Sequence, residues 1–203
     1  MGLPWPPLLV ITDRRQARSP LESIAESIFA AGCRWLSVRE KDLEPEARLD
    51  LLRRLNTLAR QWSAVVGVHD DLATARALGV PLHLPAGASV EAARRALGPA
   101  QLIGQSFHWG DDLSHTATAG LDYVTLSPVF ASDSKPHYGP TLELERLETA
   151  ATYTAVPVIA LGGINPGRVP GCLKAGAAGV AVMGGVMRAD DPATVVADLI
   201  RYF

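Results

Sequence analysis

The sequence predicts a single α/β domain over residues 1–203, folded as a closed eight-stranded parallel (β/α)8 barrel. Three observations predict it. Strand-like and helix-like runs alternate along the whole chain, and eight strand candidates can be counted. The strand candidates are apolar without alternation, as strands buried on both faces of a parallel sheet should be. The last two end in glycine pairs, Gly162-Gly163 and Gly184-Gly185. A phosphate site built after strands seven and eight is a recurrent feature of the TIM barrel. An open doubly wound sheet is the alternative, disfavoured by even strand spacing and the lack of an early glycine-rich nucleotide loop.

In chain order the strand candidates are residues 8–12, 35–39, 64–69, 81–84, 102–106, 123–127, 158–161 and 179–182. Helical periodicity predicts helices over 21–31, 44–61, 72–78, 90–96, 111–118, 143–152, 168–174 and 193–202. Ser19, Ser89 and Asp191 stand where N-caps belong, and Gly32, Gly79, Gly98, Gly120 and Gly176 where helices end or turns begin. The segment near Arg168 is expected to be short or distorted, because Gly167, Pro170 and Gly171 are poor helix interiors. No linker, charge run or low-complexity tract divides the chain.

A formal charge of −2 with interspersed signs gives no basic stripe, which argues against nucleic-acid binding. Residues 8–11 are too short for a signal sequence or a membrane span, so a cytoplasmic protein is expected. Cys33 and Cys172 have no paired spacing and read as buried small hydrophobes rather than a disulfide or zinc ligands.

In such a barrel the chemistry lies at the C-terminal ends of the strands. Those ends carry Thr12-Asp-Arg14, Arg39-Glu-Lys41, His69-Asp-Asp71, Ser106-Phe-His108, and Ser127-Pro128 followed by Ser132-Asp-Ser-Lys135. Arg39 and Lys41 are two residues apart and point the same way if the strand continues, a pairing that suits a diphosphate. The alternative is an exposed loop in which Arg39, Glu40 and Lys41 pair with each other. Asp70 and Asp71 can hold Mg²⁺, or one of them can cap the helix that starts at Leu72. His83 reads as a barrel-lining residue, His108 as a mouth residue, and His115 and His137 as solvated loop residues. The polar segment 132–140 reads as a lid from which Lys135 closes over a phosphate.

These residues, in this order, resemble the thiamine phosphate synthase/TenI family of α/β barrels. The matching pieces are Ile11-Thr-Asp-Arg14, Val38-Arg-Glu-Lys41, Val68-His-Asp-Asp71, Ile103-Gly-Gln-Ser-Phe-His108, Asp122 through Phe130 with 132–135, Leu161-Gly-Gly-Ile164, and Ala175 through Met183. The resemblance implies a small-molecule phosphate substrate and, often, a homo-oligomer; the apolar residues 3–7 with Trp5 can serve an interface or form an exposed edge. It also implies two different activities. The synthase joins an aminopyrimidine diphosphate to a thiazole phosphate through a dissociative, carbocation-like step that needs Mg²⁺. The TenI branch moves a proton on a carboxylated thiazole phosphate and needs no cofactor. In both, a thiazole phosphate rests on the glycine pairs, here Gly162, Gly163, Gly184 and Gly185.

The departures from the synthase pattern set the expectation between them. Ser37 stands where synthases carry Gln, His69 where they carry Asn, and Ala88 where they carry a second Mg²⁺-binding Asp. Three replacements in the pyrimidine-diphosphate pocket favour a TenI-like thiazole tautomerase, with Ser106, His108 and Lys135 at the reacting end and His69 or His108 as proton carrier. Against it, Pro128 stands where the TenI branch carries its histidine. The first alternative is the synthase, with Arg39, Lys41, Ser106 and Lys135 on diphosphate and Asp70 on Mg²⁺. The second is a non-catalytic regulatory protein that binds a thiazole phosphate.

Overall fold

The computed structural model describes residues 2–108, 110–114, 117–132 and 140–203. Eight parallel strands close in chain order, β1 pairing with both β2 and β8. They are β1 Leu8–Ile11, β2 Trp35–Val38, β3 Val65–His69, β4 Leu82–Leu84, β5 Ile103–Phe107, β6 Tyr123–Leu126, β7 Val158–Leu161 and β8 Gly179–Val182. All eight strands predicted from the sequence are present.

The helices are α1 Leu21–Ala30, α2 Pro45–Arg60, α3 Leu72–Leu78, α4 Val90–Leu97, α5 Glu143–Tyr153, α6 Val169–Lys174, α7 Gly184–Met187 and α8 Pro192–Ile200. On α1, Leu21, Ile24, Ala25, Ile28 and Phe29 are buried, the spacing of one helical face. Burying each large side chain there contributes about 1.5–3 kcal/mol. Ser89 and Asp191 cap α4 and α8 as expected, accepting N–H groups of Ala92 and of Ala193 and Thr194. Ser19 does not: Pro20 occupies the N-cap of α1 and no side chain caps it. The distortion near Arg168 is a 3-10 turn, Pro166–Arg168, that runs into the six-residue α6.

Two further corrections concern helices. The described residues of 111–118 form bends and turns rather than a helix. Arg94 on α4 ties that crossover down instead, donating to the carbonyls of Gly98, Gln101 and Gly120 and to the Asp122 carboxylate. The four-residue α7 was not expected, because its two leading glycines look like loop in a propensity reading.

The core has two layers. Outside the barrel, strand residues such as Leu8, Val10, Leu36 and Val68 pack against the helices. Inside it, Leu9, Ile11, Trp35, Tyr123, Ile159 and Ala181 fill the barrel floor. The Trp35 and Tyr123 rings meet edge to face at 4.8 Å. A Cβ on Gly104 would lie 2.1 Å from the Tyr123 ring, so the glycine on β5 is what admits the tyrosine of β6. Both cysteines are buried free thiols, pushed up by burial to about 12 for Cys33 and about 11 for Cys172. Among the described residues no helix is long and apolar enough to cross a membrane.

Candidate active site

A cavity of about 740 Å³ opens at the C-terminal ends of the strands. Its wall brings together Arg39, Lys41, His69, Asp70, Ser106 and His108 with all four glycines of the two pairs, Gly162, Gly163, Gly184 and Gly185. Lys135, His115 and His137 lie outside the described residues, as does most of the segment read as a lid.

After β2, the Arg39-Glu-Lys41 run does not pair with itself. Glu40 is buried, and its carboxylate accepts the Arg14 N–H at 3.1 and 3.2 Å, tying the β1 loop to the β2 loop. Arg39 N–H donates to Thr12 Oγ1 at 3.0 Å, which fixes the backbone between the two cations. Lys41 Nζ lies 3.1 Å from Asp70 Oδ2, both side chains about half exposed. An exposed ion pair of this kind adds little stability and can be exchanged for a ligand.

The two aspartates after β3 divide the roles that the sequence left open. Asp71 caps α3, accepting from Thr74 N–H at 2.9 Å and Thr74 Oγ1 at 2.8 Å, and it pairs with Arg48 at 2.7 Å. Its backbone and side-chain hydrogen bonds, with the Arg48 charge, outweigh burial and lower its carboxyl pKa. Asp70 has a left-handed backbone, φ 55°, and lines the cavity.

Polar side chains gather on the floor below. His69 and His83 are register partners on β3 and β4, and their rings lie 4.4 Å apart, tilted by 30°. His83 Nδ1 meets Tyr123 OH at 3.0 Å, while Nε2 meets Ser106 Oγ at 2.9 Å and Thr125 Oγ1 at 3.3 Å. Among the described residues, buried His69 Nε2 has no hydrogen-bond partner. Burial holds both imidazoles neutral, with His83 pushed down to about 3. The nearby Lys41 charge acts in the same direction on both, and Arg39 adds to it at His69.

The first glycine pair has a packing reason of its own. Gly162 and Gly163 take φ of 100° and 62°. A Cβ would come 2.7 Å from Pro128 Cα at the first and 2.4 Å from Ala131 O at the second. Only glycine lets the β6 loop cross there, and the crossing is pinned by Val129 N–H on Leu161 O and Phe130 N–H on Gly162 O. Gly184 and Gly185 open α7, where the first N–H groups have no intrahelical acceptor.

Two cavity cations were missed in the sequence, Arg168 and Arg188. Arg168 lies over the Phe130 ring at 4.6 Å and donates to Gly163 O at 2.5 Å. Arg188 hydrogen-bonds Gln16 from the turn after α7. A signal was there for each: Arg168 stands three residues after Asn165, whose side chain caps that turn, and Arg188 three after Gly185. His108 Nδ1 lies 3.1 Å from both the carbonyl oxygen and Oγ of Ser127 at the end of β6.

The model of the thiamine monophosphate synthase family matches residues 8–186. This chain belongs to that family. It is 35% identical over 188 residues to a putative thiamine-phosphate synthase of Geobacter sulfurreducens, covering 91% of this chain and 88% of that one. It is 32% identical over 195 residues to the thiamine-phosphate synthase of Moorella thermoacetica, covering 93% and 91%. A solved thiamine phosphate pyrophosphorylase from Pyrococcus furiosus superimposes with a TM-score of 0.81 at 27% identity, covering 96% of this chain and 93% of that chain.

Ser37, His69 and Ala88, the departures from the synthase pattern, occupy three different surroundings. Ser37 is buried on β2, and His69 is stacked on His83. Ala88 lies on a neighbouring cleft, its carbonyl held by Gln105 Nε2 at 2.9 Å, while Pro85 and Ala86 face the cavity. Among the described residues Asp70 is the one carboxylate on the cavity wall, and no group of three or more metal-ligating side chains occurs. A single carboxylate fits a Mg²⁺ ion that keeps several waters and takes its remaining ligands from substrate phosphates.

Proposed function

We propose that this protein is a thiamine-phosphate synthase, joining an aminopyrimidine diphosphate to a thiazole phosphate with release of diphosphate. One observation carries the reading: two separate sets of anion-binding groups share one cavity. Arg39 and Lys41 stand after β2, and the two glycine pairs with Arg168 and Arg188 after β7 and β8. A cavity of about 740 Å³ accommodates two phosphorylated ring compounds side by side. The names of the relatives favour this activity over the tautomerase that the replaced side chains alone suggest.

In this reading Arg39 offers a fork of N–H donors and Lys41 a point charge to the diphosphate, Lys41 giving up Asp70 as the ligand arrives. Asp70, the carboxylate on the cavity wall, would then hold Mg²⁺. When bound, that ion neutralises charge building on the leaving group. The glycine backbone approaches the thiazole phosphate without side chains in the way, and Arg168 and Arg188 supply countercharge. The neutral state of His69 and His83 also matters. A protonated imidazole on the cavity floor would repel a carbocation-like pyrimidine, and burial prevents that protonation.

Because the two anion sites are separate, inorganic diphosphate with Mg²⁺ and the thiazole phosphate should bind together in calorimetry, each leaving the other's stoichiometry intact. Arg39→Met should weaken diphosphate alone. Mutual exclusion of the two ligands would contradict the proposal.

A second reading rests on His108. If Nδ1 donates its proton to the Ser127 carbonyl, Nε2 is the nitrogen that can act as a base at the mouth. A thiazole tautomerase would use that base, and its test is aromatisation of the carboxylated thiazole phosphate, abolished in His108→Ala.

A further inference from the structure

Between β4, β5 and β6 runs a short chain of hydrogen bonds whose direction can be worked out. The Tyr123 phenol is buried, and its hydrogen-bond partner among the described residues is His83 Nδ1 at 3.0 Å. Burial raises the phenol pKa, so it keeps its proton and must place it. It can do so only if Nδ1 is the unprotonated nitrogen. A neutral His83 then carries its proton on Nε2. From there the proton points to Ser106 Oγ at 2.9 Å, with Thr125 Oγ1 a longer second acceptor at 3.3 Å. The opposite tautomer would leave the buried phenolic proton without an acceptor among the described residues.

Ser106 lines the cavity, and its hydroxyl has one proton of its own. With Oγ already accepting from His83, that proton is free to be donated into the cavity. We propose that Tyr123 and His83 are positioning residues that fix the Ser106 hydroxyl as a hydrogen-bond donor toward an anionic oxygen of the bound substrate. The relay crosses three strands within the barrel, so packing at Gly104, which admits the Tyr123 ring, also sets its geometry. The inference rests on the functional reading above only in taking the anion to be the diphosphate.

Nitrogen-15 NMR of the histidines in the intact protein reads the tautomer without any variant. The relay predicts a neutral His83 with the proton on Nε2, and a proton found on Nδ1 would overturn it. A double-mutant cycle on binding of inorganic diphosphate with Mg²⁺ gives the second readout. Ser106→Ala should weaken binding about tenfold and Tyr123→Phe about three- to tenfold. The double variant should be no worse than Ser106→Ala alone, because the phenol acts through the serine. Additive losses, or a Tyr123→Phe variant with full affinity, would show that the phenol is merely structural. His83→Gln, whose amide can still donate to Oγ, should retain more affinity than His83→Leu. Neither readout uses thiamine phosphate formation. Failure of the proposed reaction therefore leaves the tautomer prediction standing or falling by itself.

Discussion

His69 and His83 are paired in register across β3 and β4, and their imidazoles stack 4.4 Å apart beneath the Arg39 and Lys41 side of the cavity. Both are buried bases with lowered pKa values, and this makes folding pH-dependent with a definite sign. Each binds a proton more readily in the unfolded chain, where the ordinary value is 6.5. Stability from their neutrality is therefore fully present above pH 6.5 and is lost as pH falls through the window below it, which for His83 extends to about 3. Each histidine contributes a slope of up to about 1.4 kcal/mol per pH unit. Urea unfolding between pH 7 and about 5 should show this fall before carboxylates begin to titrate. The His83→Gln variant should flatten it, and an unchanged slope would remove the histidines from the account.

Asp70 and Asp71 should separate stability from ligand binding. Asp71→Ala breaks the α3 cap and strips a mostly buried Arg48 of its counterion, a loss of about 3 kcal/mol seen as a lower Tm. Asp70→Asn removes one half of an exposed pair and should leave stability within about 0.5 kcal/mol. Its effect should appear instead in Mg²⁺-dependent diphosphate binding by calorimetry. Equal Tm losses in the two variants would contradict the division.

The two glycine pairs should also respond differently. Gly163→Ala puts a methyl against Ala131 O with a left-handed backbone, and should destabilise by about 2 kcal/mol or more. Gly185→Ala meets nothing within 4 Å and should fold normally. If Gly185 backs the thiazole phosphate, that methyl should raise the KM for this substrate about tenfold or more while leaving diphosphate affinity alone. An unchanged KM would move the phosphate elsewhere.

Much of this arrangement is legible in the sequence, and the physical reason differs by element. Unalternated apolar runs such as Val158-Ile-Ala-Leu161 announce a strand buried on both faces, so the barrel follows from periodicity. That Arg39, Lys41, Asp70, Ser106 and His108 share one cavity wall is legible because strand ends in a barrel converge on one mouth. Choosing between Asp70 and Asp71 needed the fold, since either residue precedes Leu72 closely enough to cap it. The role of Glu40 was hidden because its partner, the Arg14 backbone, lies 26 residues away in another loop. His83 read as a lining histidine, and its hydroxyl partners on β5 and β6 could only be supplied by register. Arg168 is hidden by the glycines and prolines around it, which make the segment look like a poor helix rather than a cavity wall.

Whether one cavity couples two phosphorylated substrates is read by following both products of that coupling. Purified protein is given the aminopyrimidine diphosphate, the thiazole phosphate and Mg²⁺, and thiamine phosphate and diphosphate are measured together. The two products should appear in equal amounts, and both should be lost with EDTA and in Asp70→Ala. Absence of both products from well-folded protein that aromatises the carboxylated thiazole phosphate through His108 would contradict it.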